Sequence, residues 1–81
     1  MRVRVRLFAV LRELAGRDDL EIDLPPAATA EDAWRRLISE EPALADRRAS
    51  LAASVNRRYA PFDTALAEGD EVVFIPPVSG G

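Results

Sequence analysis

From Arg2 to Phe8 polar and apolar residues alternate, with Val3, Val5 and Leu7 on one side and Arg2, Arg4, Arg6 and Phe8 on the other. A period of two is the signature of a half-buried strand. At Ala9 the spacing turns helical: Val10, Leu11 and Leu14 cluster, and Gly16 stands where a helix C-terminus takes a left-handed residue, so a short helix is predicted. Leu20, Ile22 and Leu24 alternate with Glu21 and Asp23 in a second strand, which Pro25-Pro26 stops. The clearest helical stripe follows. Ala30, Ala33, Trp34, Leu37 and Ile38 share one side, Thr29 can cap, Glu31 and Asp32 place anions in the first turn, and Pro42 ends the helix. A spacing of four predicts surface pairs of Glu31 with Arg35 and Asp32 with Arg36, while Trp34, in mid-stripe, is expected in the core. Signals from Ala43 to Arg48 are mixed and leave a further helical turn open.

Leu51, Ala53 and Val55 alternate as a third strand, and Asn56-Arg57-Arg58 forms a polar turn before Tyr59, with Asn56 suited to a left-handed backbone. After the turn signal Glu68-Gly69-Asp70, the run Glu71–Ile75 is apolar on both sides from Val72 onward, as a strand in mid-sheet is. The order strand, short helix, strand, long helix, strand, short strand, strand predicts an α+β domain. In it one main helix packs across one face of a mixed sheet, with the first and last strands side by side in the centre. That is the β-grasp arrangement of ubiquitin. The domain is expected over 1–75, with a C-terminal tail over 76–81.

At 81 residues the chain has room for one core. Its 48% hydrophobic and 31% charged residues fit a domain that folds alone. There is no Cys and no His, and all 11 basic residues are arginine. Zinc and iron-sulfur sites lose their usual ligands, and thiol nucleophiles are ruled out. The remaining acids and bases titrate far from neutrality, which argues against self-contained acid-base catalysis. A net charge of −3 disfavours nucleic acid as a partner. The arginines of the first strand and the pairs Arg35-Arg36, Arg47-Arg48 and Arg57-Arg58 read as solvated faces balanced by acids, with an acidic partner protein as the other reading. The apolar run at Val72 is too short to cross a membrane, and Met1-Arg2-Val3-Arg4 lacks the apolar core of a signal peptide, so a cytoplasmic protein is expected.

The chemistry points to the end of the chain. Pro76-Pro77 cannot extend the ladder and directs the exit stiffly away from the sheet. Val78 and Ser79 then lead to Gly80 and Gly81, a slim segment ending in a carboxylate on unobstructed backbone. From Pro76 such a segment reaches at most ~20 Å, enough to thread into another protein while the folded part stays outside.

Leu7-Phe8-Ala9, Arg12-Glu13-Leu14, Val55-Asn56, Leu66, Gly69-Asp70-Glu71-Val72 and above all Phe74-Ile75-Pro76-Pro77-Val78-Ser79-Gly80-Gly81 resemble the small subunit of molybdopterin synthase, a ubiquitin-like sulfur carrier. The resemblance implies that Gly81 is adenylated, becomes a thiocarboxylate and passes sulfur to cyclic pyranopterin monophosphate in molybdenum cofactor biosynthesis, while Gly80 keeps the tail slim. It implies two partners, an ATP-dependent E1-like adenylating enzyme and the large subunit, the latter in a heterotetramer. ATP and metal belong to the activating enzyme, with no cofactor bound by this chain. Phe8, Arg12, Tyr59 and Ile75 would form the docking patch, and Pro76, Pro77, Val78 and Ser79 the threaded segment. Family members often carry an aromatic in place of Ile75 and an aliphatic in place of Tyr59. Carriers feeding thiazole, cysteine or tRNA thiolation share the Gly-Gly ending and are the alternative. A ubiquitin-like interaction module without acyl chemistry is a third reading.

Overall fold

A computed structural model describes residues 1–77. Strand β1 (Arg2–Leu7) leads through a short helix α1 (Ala9–Ala15) to β2 (Asp19–Asp23). Helix α2 (Ala30–Glu40) is followed by a 3₁₀ helix (Pro42–Ser50), then β3 (Ala52–Val55), β4 (Arg58–Ala60) and β5 (Glu71–Ile75). The five strands form one sheet in the order β2-β1-β5-β3-β4. β1 and β5 are parallel neighbours, and every other pairing is antiparallel. The expected α+β architecture of the β-grasp type is therefore present, with β5 in the middle. The segment from Ala43 to Arg48, open in the sequence, belongs to the 3₁₀ helix, which begins on Pro42.

Alternation sorts the sheet into two faces. Val3, Val5 and Leu7 of β1, Leu20 and Ile22 of β2, Ala53 of β3 and Val72 and Phe74 of β5 are all buried on the inner face. Helix α2 covers that face with Ala30, Ala33, Trp34 and Leu37. Trp34 is a core residue as expected, 1% exposed, with its ring edge-on to Phe74 at 5.2 Å. Phe62 stacks on the same Phe74 ring at 5.9 Å and extends the aromatic cluster toward the surface.

Thr29 caps α2 as predicted, within a complete capping box: its hydroxyl accepts from the Asp32 N–H, and the Asp32 carboxylate accepts from the Thr29 N–H at 2.9 Å. The predicted surface pairs on α2 do not form. Asp32 is committed to the cap, Arg36 pairs with Glu40, and Glu31 accepts from Arg48 of the 3₁₀ helix at 3.0 Å. The Arg48 guanidinium carbon lies over the Phe62 ring, 3.4 Å from its centroid, and a guanidinium held by both a ring face and a carboxylate out-competes an arginine one helical turn away. The first strand also ends one residue earlier than its alternation suggests. Phe8 keeps extended backbone angles but serves as the N-terminal cap residue of α1. No described helix is long and apolar enough to cross a membrane.

Candidate functional site

The outer face of the sheet carries no helix residue of the α2 core stripe, and its two ends differ in kind. At the end where β1 begins, Arg2 donates to Asp23 at 3.2 Å and lies 3.6 Å from Glu21; Arg6, near the other end of β1, reaches back to Glu71 at 3.8 Å. The Arg2 hydrogen bond holds the Asp23 carboxyl below its ordinary range. At the end where β5 leaves the sheet, the register assembles apolar side chains. Leu7 pairs with Phe74 at the end of β1, Phe8 follows it in extended backbone, and Ile75 at the end of β5 pairs with Ala52. One row back, Arg6, Val73, Ser54 and Tyr59 stand in line across four strands. Val73 and Ser54 are nearly covered on this face, whereas Phe8 is 43% and Tyr59 79% exposed. Among large hydrophobic side chains, exposure of that degree is what a partner surface looks like.

Phe8, Ile75 and Tyr59, which the family resemblance implies as a patch, share one face and one end of the sheet. Arg12 does not lie on the sheet. It is exposed on α1, four residues after Phe8, and its carbonyl accepts the Gly16 N–H where the helix closes at φ 74. Arg6 adds a cation that the sequence did not assign to the patch, its guanidinium 5.7 Å from the Phe8 ring centroid. Ala52 and Val73 also belong to the apolar face and went unmarked. The two-sided apolar character of β5 already placed Val73 opposite the core, whereas Ala52 could be found only from the register between strands.

β5 is fixed at its start. The Asn56 amide donates to Asp70 Oδ1 at 2.8 Å, its oxygen accepts the Glu71 N–H at 2.9 Å, and its backbone N–H donates to the Glu71 carbonyl. Asp70 also accepts from the Ala67 N–H at 2.8 Å. These bonds give a structural reason for Asn56 and for Gly69-Asp70-Glu71: they set where the central strand starts, and hence where it ends. At its end the chain leaves through Pro76, half-buried, and Pro77, exposed. Val78, Ser79, Gly80 and Gly81 lie outside the described residues. Among the described residues no group of three or more His, Cys, Asp or Glu could hold a metal ion.

Sheet order, helix placement and an apolar face at the point of chain exit together define a ubiquitin-like β-grasp protein. The chain belongs to the ThiS family, which it matches over residues 5–81. It is 40% identical to the molybdopterin synthase sulfur carrier subunit of Escherichia coli (strain K12), with 98% of this chain and 99% of the relative covered. Identity to the protein of that name from Chlamydomonas reinhardtii is 39%, over the full length of both. Among solved structures, SAMP1 from Haloferax volcanii superposes with a TM-score of 0.93 at 34% identity, covering 100% of both chains. The resemblance read from the sequence motifs thus extends across the whole chain.

Proposed function

We propose that this protein is the sulfur carrier and small subunit of a molybdopterin synthase, and that its reactive group is the Gly81 carboxyl. One observation carries the reading: the apolar rows of Phe8, Ile75, Ala52, Val73 and Tyr59 and the root of the tail at Pro76-Pro77 occupy the same end of the sheet, in a chain similar to sulfur carriers throughout its length. A partner seated on those rows has the tail delivered to it.

A carboxylate is a poor electrophile, so the step needs activation. The Gly81 carboxylate attacks the α-phosphorus of ATP on an E1-like enzyme, and pyrophosphate leaves. A sulfide equivalent then attacks the acyl carbon and expels AMP, leaving a thiocarboxylate. ATP and its metal are bound by the activating enzyme, whose cations neutralise the phosphates. In the cytoplasm, within a heterotetramer with the large subunit, the thiocarboxylate sulfur passes to cyclic pyranopterin monophosphate. This chain contributes position: Phe8, Arg12, Tyr59 and Ile75 dock, Pro76, Pro77, Val78 and Ser79 lead, and Gly80 leaves the channel unobstructed.

Incubation with the activating enzyme, ATP and a sulfur donor should raise the intact mass by the difference between sulfur and oxygen, localised to the C-terminal peptide. An unchanged mass beside a carrier that is thiolated in the same mixture would refute the reading. A variant with one alanine added after Gly81 is expected to lose the shift. The 0.93 superposition on SAMP1, a small archaeal modifier protein, favours one further reading, attachment of Gly81 to an amine of another protein. Conjugates of higher mass carrying the Gly81 carbonyl on lysine, formed without thiocarboxylate, would decide for it.

A further inference from the structure

A surface beside the tail root has no role in the docking face. Pro76 and Pro77 form one wall of a groove of about 430 Å³, Ala9 and Val10 at the start of α1 a second, and Arg47, Ser50 and Leu51 at the end of the 3₁₀ helix a third. The lining is mostly aliphatic. On its rim Arg47 is exposed and makes no ion pair among the described residues. Its neighbour Arg48 is committed to Glu31, and the Ser50 hydroxyl donates to the Arg47 carbonyl at 3.0 Å. The Arg47 guanidinium is thus the group left to take an acceptor from outside.

Building on the sulfur-carrier reading, we propose that this groove seats a segment of the molybdopterin synthase large subunit that presents an apolar side chain next to a carboxylate. The apolar side chain fills the groove and the carboxylate pairs with Arg47. Reach is the first reason. Four residues carry the chain from Pro77 to Gly81, a span of at most ~14 Å when fully extended. A reacting centre that takes the Gly81 carboxyl lies within that distance of Pro77, so the protein built around the centre presses on the residues that surround Pro77, and those residues line the groove. Complementarity is the second reason. An apolar hollow left empty under such a contact forfeits packing, and an arginine covered without an acceptor is costly. A segment of apolar and acidic character answers both.

The test is titration calorimetry of the cognate large subunit against Arg47→Glu, with Arg57→Glu as control. Arg57 carries the same charge at the β3–β4 turn, near the start of β5 and away from its exit. Arg47→Glu is expected to weaken binding at least tenfold and to flatten its salt dependence, whereas Arg57→Glu binds as the wild type and all three melt alike. Ser50→Trp, which fills the groove from the rim, is expected to weaken binding likewise. Unchanged affinity of Arg47→Glu overturns the proposal. So does tighter binding, which would place the chain's own terminal carboxylate in the groove, and so does a defect confined to loading by the activating enzyme. If the wild-type protein neither accepts sulfur nor binds the large subunit, the sulfur-carrier reading itself fails and this proposal falls with it.

Discussion

Asn56 and Arg57 join β3 to β4 with both residues at positive φ, 51° and 71°, the geometry of a type I′ turn. Asparagine tolerates this backbone, and its side chain here also secures the start of β5. Arginine has no such compensation, so Arg57→Gly is expected to stabilise the protein by about 0.5–1 kcal/mol, seen as a melting temperature higher by about 4–8 °C per kcal/mol. Asn56→Ala has the opposite sign. It removes two side-chain hydrogen bonds worth about 1 kcal/mol each and leaves the β5 start unclamped, so thermal unfolding should come earlier and the Glu71 amide should exchange faster. Equal melting temperatures for Asn56→Ala and wild type would remove Asn56 from its place as the clamp. Ala9, at φ 52, is strained too, and it lies where Phe8 turns from the sheet into α1. Relief of that strain by Ala9→Gly would come with a looser Phe8.

Among the elements, α2 and the 3₁₀ helix are joined through Glu31 and Arg48. The Arg48 hydrogen bond holds the Glu31 carboxyl below its ordinary value, and the backbone and hydroxyl of Thr29 do the same for Asp32. Both groups keep their charge to lower pH in the folded chain than in the unfolded one. Their contribution is therefore complete above the unfolded value near ~4 and fades as pH falls through the lower folded value. In urea unfolding from pH 7 to pH 3, Glu31→Gln should show a smaller acid loss than the wild type. A parallel profile would mean that the ion pair adds nothing. These pairs were hidden in the sequence, although the elements themselves were legible. Period two gave β1 and β2, the stripe around Trp34 gave α2, and the two-sided run at Val72 placed β5 in the centre. The four-residue rule looks only along one helix, and Arg48 arrives from another segment, held by Phe62. For the same reason Phe8 stood out from the alternation of its own strand, Tyr59 and Ile75 came only through the family resemblance, and Ala52, Arg6 and the groove at Arg47 depend on which strands and helices come together.

At the scale of the molecule, the outer sheet has a charged end and an apolar end, and the proposed docking face lies at the apolar one. Tyr59 is nearly free of intramolecular packing, so Tyr59→Asp should leave the melting temperature unchanged. It should nevertheless weaken binding to the large subunit by about tenfold or more, since an exposed aromatic covered by a partner carries a large share of the binding energy. Retained affinity would take Tyr59 out of the docking face. A final consequence follows from the place of β5. It has four paired positions with β1 on one side and four with β3 on the other. Tension applied at Gly81, as when a bound partner withdraws, runs lengthwise down this strand. Every rung on both sides then bears the load in shear at the same moment, instead of opening one after another from an edge. If Gly81 is the group handed to a partner, as proposed, its segment is moored to a strand held on both sides, which resists being peeled from the sheet when the end is pulled.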